Sequence, residues 1–277
     1  MAANRKFLVS AMVCATVLAG LAGCSKENGT KVKSSSEEKA GEPAAPTTTK
    51  PPANPFEGLT ADQIAEKAVA ATKGAQSLRM AGRIKTDGET MDAEFAADTK
   101  GACTGKIGMQ GGTAELLQVN KVTYMKGDEK FWRYTIGEEG GTKEEVDAGV
   151  ELIKGRWMKL PADSAKDMGG TCDLKSMLED MADEEFQSKG LTKGPDADVN
   201  GQPVATVVKK KAGETTTLYV AKEGEPYILK VVVVGGDEPG SMVFSDYNQP
   251  VKAVAPPAGE VVDAEKLGGG PGANSNA

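Results

Sequence analysis

The sequence predicts an α+β fold built on an antiparallel meander. Short runs of alternating apolar and polar residues follow one another, parted by Asp-Gly, Gly-Gly and Asn-Lys pairs. Other stretches space their apolar residues for a helix instead. Aromatics are only 5% of the chain while Gly, Ala, Thr and Val are common, which suits a β-rich protein with a modest core.

The folded body opens at "LTADQIAEKAVAATKGAQSL". Thr60 is placed as an N-cap with Gln63 as its capping-box partner. Ile64, Ala68 and Ala71 share one helical face, with Leu59 and Val69 near its edges, and Gly74 ends the helix. "SLRMAGRIKTDG" then sets Leu78, Met80, Gly82 and Ile84 against Arg79, Ala81, Arg83 and Lys85. "TMDAEFAADT" sets Met91, Ala93, Phe95 and Ala97 against Asp92, Glu94, Ala96 and Asp98. The Asp-Gly between these runs favours a hairpin. "CTGKIGMQ" continues the pattern up to Gly111-Gly112. "TAELLQVNKVTYMKGD" is one long strand or two short ones about Asn120-Lys121. Successive hairpins imply antiparallel pairing.

The middle of the chain changes character. "EKFWRYTI" and "TKEEVDAGVELIKGRW" are helical in pattern, and "RWMKLP" closes them as a strand. "DLKSMLEDMADEEF" puts Leu174, Met177, Leu178 and Met181 on one helical face. Strands resume with "QPVATVVKKK", "ETTTLYVAK", "PYILKVVVVGG" and "SMVFSDYN". Tyr227 to Val234 is apolar at both parities, so this strand is expected to be covered on both faces.

Residues before the body concern address. Asn4-Arg5-Lys6 precedes an apolar run from Phe7 to Leu18, then "LAGC" at 21–24. The run is shorter than the roughly 20 apolar residues of a membrane span and fits a secretory signal. "LAGC" resembles a bacterial lipobox, whose cysteine is acylated and becomes the first mature residue. Cys24 is thus the expected lipid anchor, held by acyl chains at roughly 0.8 kcal/mol per buried methylene. The expected organisation is a signal peptide at 1–23, a lipidated disordered linker at 24–58, a folded domain at 59–260 and a disordered tail at 261–277. The linker is rich in Ser, Thr, Pro, Lys and Glu and buries too little to fold alone. The expected location is the outer face of the cell membrane.

Composition narrows the chemistry. Arg5 and Lys6 leave with the signal and no acid does, so the net charge of −7 becomes −9. That charge argues against a nucleic-acid partner. The chain has no histidine, which excludes Ser-His-Asp and Cys-His mechanisms and His-ligated metals. No cofactor is expected. Of four cysteines, Cys14 leaves with the signal and Cys24 is acylated. Cys103 and Cys172 remain in an oxidising compartment, where pairing is expected and a redox thiol is the alternative.

Candidate sites are few. The acidic run Glu179 to Glu185 lacks a calcium loop's glycine turn, and Asp196 to Gly201 reads as a turn. Trp132, Tyr134 and Trp157 rim a pocket or anchor a helix to the sheet. Met80, Phe95, Ile107, Leu229 and Val231 are candidate ligand contacts, assigned to one strand face. The same side chains would serve a filled core, and periodicity does not separate the two.

"ATKGAQSLRMAGRI", a cysteine strand, "VTYMKGDEKFWR", "GRWMKLP" and a late "FSDYNQPVKAVAPP" come in an order that resembles the LolA-like lipoproteins of actinobacteria, of the LppX and LprG lipid-carrier type. The resemblance covers about residues 59 to 258. It implies a strongly curved antiparallel half-barrel, with helices closing its concave face over an apolar cavity for acyl chains. It implies no catalytic residues. The function expected is a non-enzymatic lipid binder, carrier or sensor. An envelope interaction protein without lipid is the alternative, its protein partner unknown. A carboxylate hydrolase would need two acids roughly 5–10 Å apart, and no such pair is marked in the sequence.

Overall fold

The computed structural model describes residues 54–86, 88–138, 140–167, 172–184 and 190–267. The signal segment, Cys14, Cys24, most of the linker and residues 268–277 lie outside the described residues. So do Glu185 and the side chain of Met181.

Helix α1 (Ala61–Lys73) starts as its sequence dictates. The Thr60 hydroxyl accepts from the Gln63 N–H, and the Gln63 side chain accepts from the Thr60 N–H at 2.8 Å. Gly74 ends the helix in a right-handed conformation. Strands β1 (Ser77–Thr86), β2 (Glu89–Asp98), β3 (Cys103–Met109), β4 (Gly112–Val119) and β5 (Val122–Gly127) then run up and down. Asn120 and Lys121 both take positive φ between β4 and β5, so the long run is two strands joined by a tight turn.

Helices α2 (Glu129–Glu138) and α3 (Lys143–Ile153) follow, then β6 (Trp157–Lys159), α4 (Ala162–Asp167) and α5 (Leu174–Glu184). The second half holds β7 (Thr192–Lys193), β8 (Ala197–Val199), β9 (Gln202–Lys211), β10 (Glu214–Ala221), β11 (Ile228–Gly235), β12 (Gly240–Ser245) and β13 (Val261–Asp263). Among the described residues these strands form one sheet, ordered β13-β6-β5-β4-β3-β2-β1-β12-β11-β10-β9-β7, with β8 on β9. Its pairings are antiparallel except that of β13 with β6. Two meanders are joined where β1 pairs β12. The fold is α+β: an open, curved antiparallel sheet with helices on its inner face.

The main core lies between that inner face and the helices. It gathers Ile64, Ala65 and Ala68 of α1, Phe131 and Trp132 of α2, and Val150 and Ile153 of α3. Leu174 and Leu178 of α5 join them over the inward side chains of the strands. Cys103 and Cys172 form a disulfide, Cα to Cα 5.4 Å, which ties the start of α5 to β3. In the chain-entropy model a closed loop of this length contributes about 4 kcal/mol.

Three expectations are corrected. Phe56, given to the linker by composition, is buried in the main core. Val261–Asp263, given to the disordered tail, is a strand, and Ala264 after it is fully buried. A three-residue strand is too short for alternation to reveal, and its partner lies about a hundred residues away. The strand containing Tyr227 to Val234 is not covered on both faces throughout: only Ile228 and Leu229 are buried, and Val234 is 63% exposed.

Candidate functional site

Cross-strand register sorts the inner face into rows. The deepest row relevant here runs Phe244–Met80–Phe95–Gly105–Leu116–Met125–Met158–Val262. Its side chains are buried. The Phe95 ring lies across Gly105, where a Cβ would collide with it, so the glycine makes room for the aromatic.

One step toward the β1–β2 hairpin lies a second row, Leu218–Val231–Met242–Gly82–Ala93–Ile107–Ala114–Gly127. Val231, Met242 and Ile107 in it are half-buried. A further step gives Thr216–Val233–Gly240–Ile84–Met91–Met109–Gly112. From Val233 to Met109 every residue of this row is half-buried. Between β11 and β3 burial therefore falls from the deep row to the hairpin end, while Thr216 and Gly112 at the two ends of the outermost row stay buried. The result is an apolar trough with helices at its flanks: α1 lies against β9, β10 and β11, and α2 against β4 and β5.

Two features suit the trough to an apolar guest. The two outer rows carry no ionisable side chain, so an apolar ligand strands no charge there. Methionine also recurs: Met80, Met109, Met125, Met158, Met177 and Met242 all belong to or pack on the inner cluster. Unbranched thioether side chains repack around guests of differing shape.

Helix α2 is fixed at the trough's edge by identifiable contacts. Asp128 caps it, accepting from the Phe131 N–H at 2.8 Å. The same carboxylate accepts from the Thr113 N–H at 2.9 Å and hydroxyl at 3.0 Å. Partial burial opposes the Asp128 charge, but these hydrogen bonds outweigh it and hold the carboxyl below its ordinary range. Gly112 has no Cβ, which lets the first turn of α2 lie directly on β4. The indole of Trp132 lies over Gly127 in the same way. Tyr134 donates to Glu89 Oε2 at 2.8 Å, tying α2 to the β1–β2 hairpin, and this bond raises the phenol pKa.

The predicted ligand contacts divide. Met80 and Phe95 meet side by side in the deep row, and Ile107 and Val231 fall in the second. Leu229 does not join them. A β-bulge between Tyr219 and Val220 pairs Val220 with Ile228 and leaves Leu229 out of register. Ile228 takes the inward place, and Leu229 turns to an outer cluster with Val199, Val204 and Ala221. Thr72 of α1 accepts from the Ile228 N–H at 3.1 Å and Tyr247 donates to its carbonyl, so the bulge leaves neither group unpaired. Sequence parity, counted through the bulge, gave the wrong face. Met91, Met109 and Val233 of the outermost row, and Met242 of the second, were not singled out because their alignment depends on pairing across separate hairpins.

The other sites resolve simply. Trp132 is buried and anchors α2, while Trp157 is half-buried with Lys126 5.9 Å from its ring centre. In the Asp196 to Gly201 segment Ala197–Val199 is a strand, and Asp198 accepts from the Gly201 N–H at 2.6 Å as a turn requires. Depressions also mark the outer face. One of about 600 Å³ lies over Ala81, Arg83, Asp92, Glu94 and Lys106. Arg83 pairs with Asp92 there, and Glu94 with Arg79. No helix among the described residues is long and apolar enough to cross a membrane.

No family model and no curated protein matches the chain. Among solved structures it is similar to LprF from Mycobacterium bovis, 16% identical over 71% of this chain and 96% of that one, TM-score 0.48. It is similar to lipoprotein LppX from Mycobacterium tuberculosis, 15% identical over 70% and 98%, TM-score 0.44. It also resembles the LolA superfamily protein NE2245 from Nitrosomonas europaea, 10% identical over 72% and 96%, TM-score 0.24. The fold class follows from the sheet itself.

Proposed function

We propose that this chain is a membrane-anchored extracytoplasmic lipoprotein, not an enzyme, that binds a lipid in the apolar trough of its sheet. The supporting observation is the gradient of burial along the inner face. A row of Val, Ile and Met side chains is left half-covered beside a well-packed core. Each methylene that leaves water for such a surface contributes roughly 0.8 kcal/mol. The lipobox-like "LAGC" supports the anchor, with Cys24 as the acylated residue. Loading would proceed by movement of the flanking helices, α2 being held to the hairpin by the Tyr134–Glu89 bond.

The test is lipid extraction from the full chain purified from cells. The wild type is expected to release about one equivalent of lipid beyond the acyl groups on Cys24. A variant carrying Ile84→Glu and Met91→Glu, which puts charge in the trough, is expected to release none. Equal yields from both proteins, or none from the wild type, would remove the proposal.

A further inference from the structure

A second hollow lies at the end of the sheet away from the β1–β2 hairpin, where the start of β9, the end of β10, the start of β11 and the end of β12 come level. Its volume is about 340 Å³, at the low end for small-ligand pockets. The floor is apolar: Val199, Ala221 and Leu229 of the outer cluster, with Tyr227 and Tyr247 packed against them. The two rings stack with centres 4.0 Å apart and planes 3° from parallel. Both phenols are held: Tyr247 donates to the Ile228 carbonyl, and Tyr227 accepts from Asn248 Nδ2 at 2.8 Å. This wall is set before any ligand arrives, which lowers the ordering cost of binding.

The rim is acidic. Glu223 and Glu225 of the β10–β11 turn and Asp246 just after β12 line the hollow and are exposed. None of the three forms a salt bridge among the described residues, and the cations nearest them in sequence are engaged elsewhere. Lys222 pairs with Asp196, and Lys230 lies 5.6 Å from the ring centre of Tyr219. Three negative charges above an apolar, aromatic floor complement an organic cation on an aliphatic stem. Its ammonium groups meet the carboxylates and the tyrosine faces, while its methylenes leave water against Leu229. A hydrated metal ion gains nothing from such a floor, and no carboxylate cluster among the described residues is arranged to hold one.

We infer that this hollow is a binding site for a small aliphatic polyamine, distinct from the trough and independent of lipid binding. The test is calorimetric titration of the full chain with spermidine, in neutral detergent and about 0.1 M salt, where charges beyond roughly 10 Å are screened. The wild type is expected to bind about one equivalent saturably. Glu223→Gln, Glu225→Gln and Asp246→Asn together are expected to weaken binding about tenfold or more. Residue 246 has a positive φ that Asn tolerates, so this variant keeps its turn. A control carrying Glu57→Gln, Glu66→Gln and Glu115→Gln removes the same charge elsewhere and is expected to weaken binding less than about twofold. Magnesium equimolar with spermidine is expected to leave it in place. No saturable binding by the wild type overturns the inference. So does equal weakening in the two variants, which would mean attraction to net charge alone. Displacement by magnesium overturns it too, since the apolar floor would then contribute nothing.

Discussion

The deep row and the hairpin-end row of the inner face are made of similar side chains and are treated differently by the fold. Met80 and Phe95 are 8% and 5% exposed. Ile84 and Met91, two rows further along the same two strands, are half-exposed. Both pairs obey the same alternation and both face inward. What separates them is the cover: the deep row sits under packed core, and the outer row lies beyond it. An apolar side chain in the first place is packed on all sides, whereas in the second it is left half-covered.

The comparison can be broken most sharply in the deep row. Phe95→Ala removes a buried ring and leaves its space over Gly105, so a loss of about 3–5 kcal/mol is expected in denaturant unfolding. If Ile84→Ala or Met91→Ala costs as much, the two rows do not differ and the trough is simply core. Cys103→Ser with Cys172→Ser frees α5 from β3, and a loss of about 2–5 kcal/mol is expected. Thermal unfolding with and without reductant checks it, the wild type falling to the variant's level when reduced.

Asp128 sharpens the account of how α2 is held. Asp128→Ala should cost about 1–2 kcal/mol, the range for an N-cap. The folded pKa is depressed, so the contribution is present above the unfolded value near 4 and is lost as pH falls through the folded value. Stability of the wild type, measured from pH 6 downward, should approach that of Asp128→Asn in acid. A constant gap between them would refute the assignment. The smallest effect is expected at the latch. Tyr134→Phe should leave melting almost unchanged and speed lipid exchange a few-fold, measured by transfer of a fluorescent acyl probe to vesicles. Unaltered exchange would show that the Tyr134–Glu89 bond does not govern entry.

Much of the fold could be read from residue order because its signals are local. The Thr60–Gln63 capping box, the Asp-Gly hairpin, the positive-φ turn at Asn120-Lys121 and the alternation in β1 and β2 need only neighbouring residues. The failures share a different cause. Leu229 was placed on the wrong face because a bulge shifts parity without any sign in an all-apolar run. β13 was missed because its pairing with β6 spans about a hundred residues, and Phe56 because one aromatic in a polar linker gives no periodicity. The inner face was legible only in part. Met80, Phe95, Ile107 and Val231 were found by alternation, but half-burial depends on where the helices stop, which is a property of the packed molecule.

The most direct measurement is photolabelling of the full chain with an acyl probe bearing a diazirine near the chain end, followed by peptide mapping. The account predicts labels on the strand segments that carry Ile84, Met91, Met109 and Met242. Labels confined to the outer-face cluster around Val199 and Leu229, or spread without preference over the surface, would contradict it.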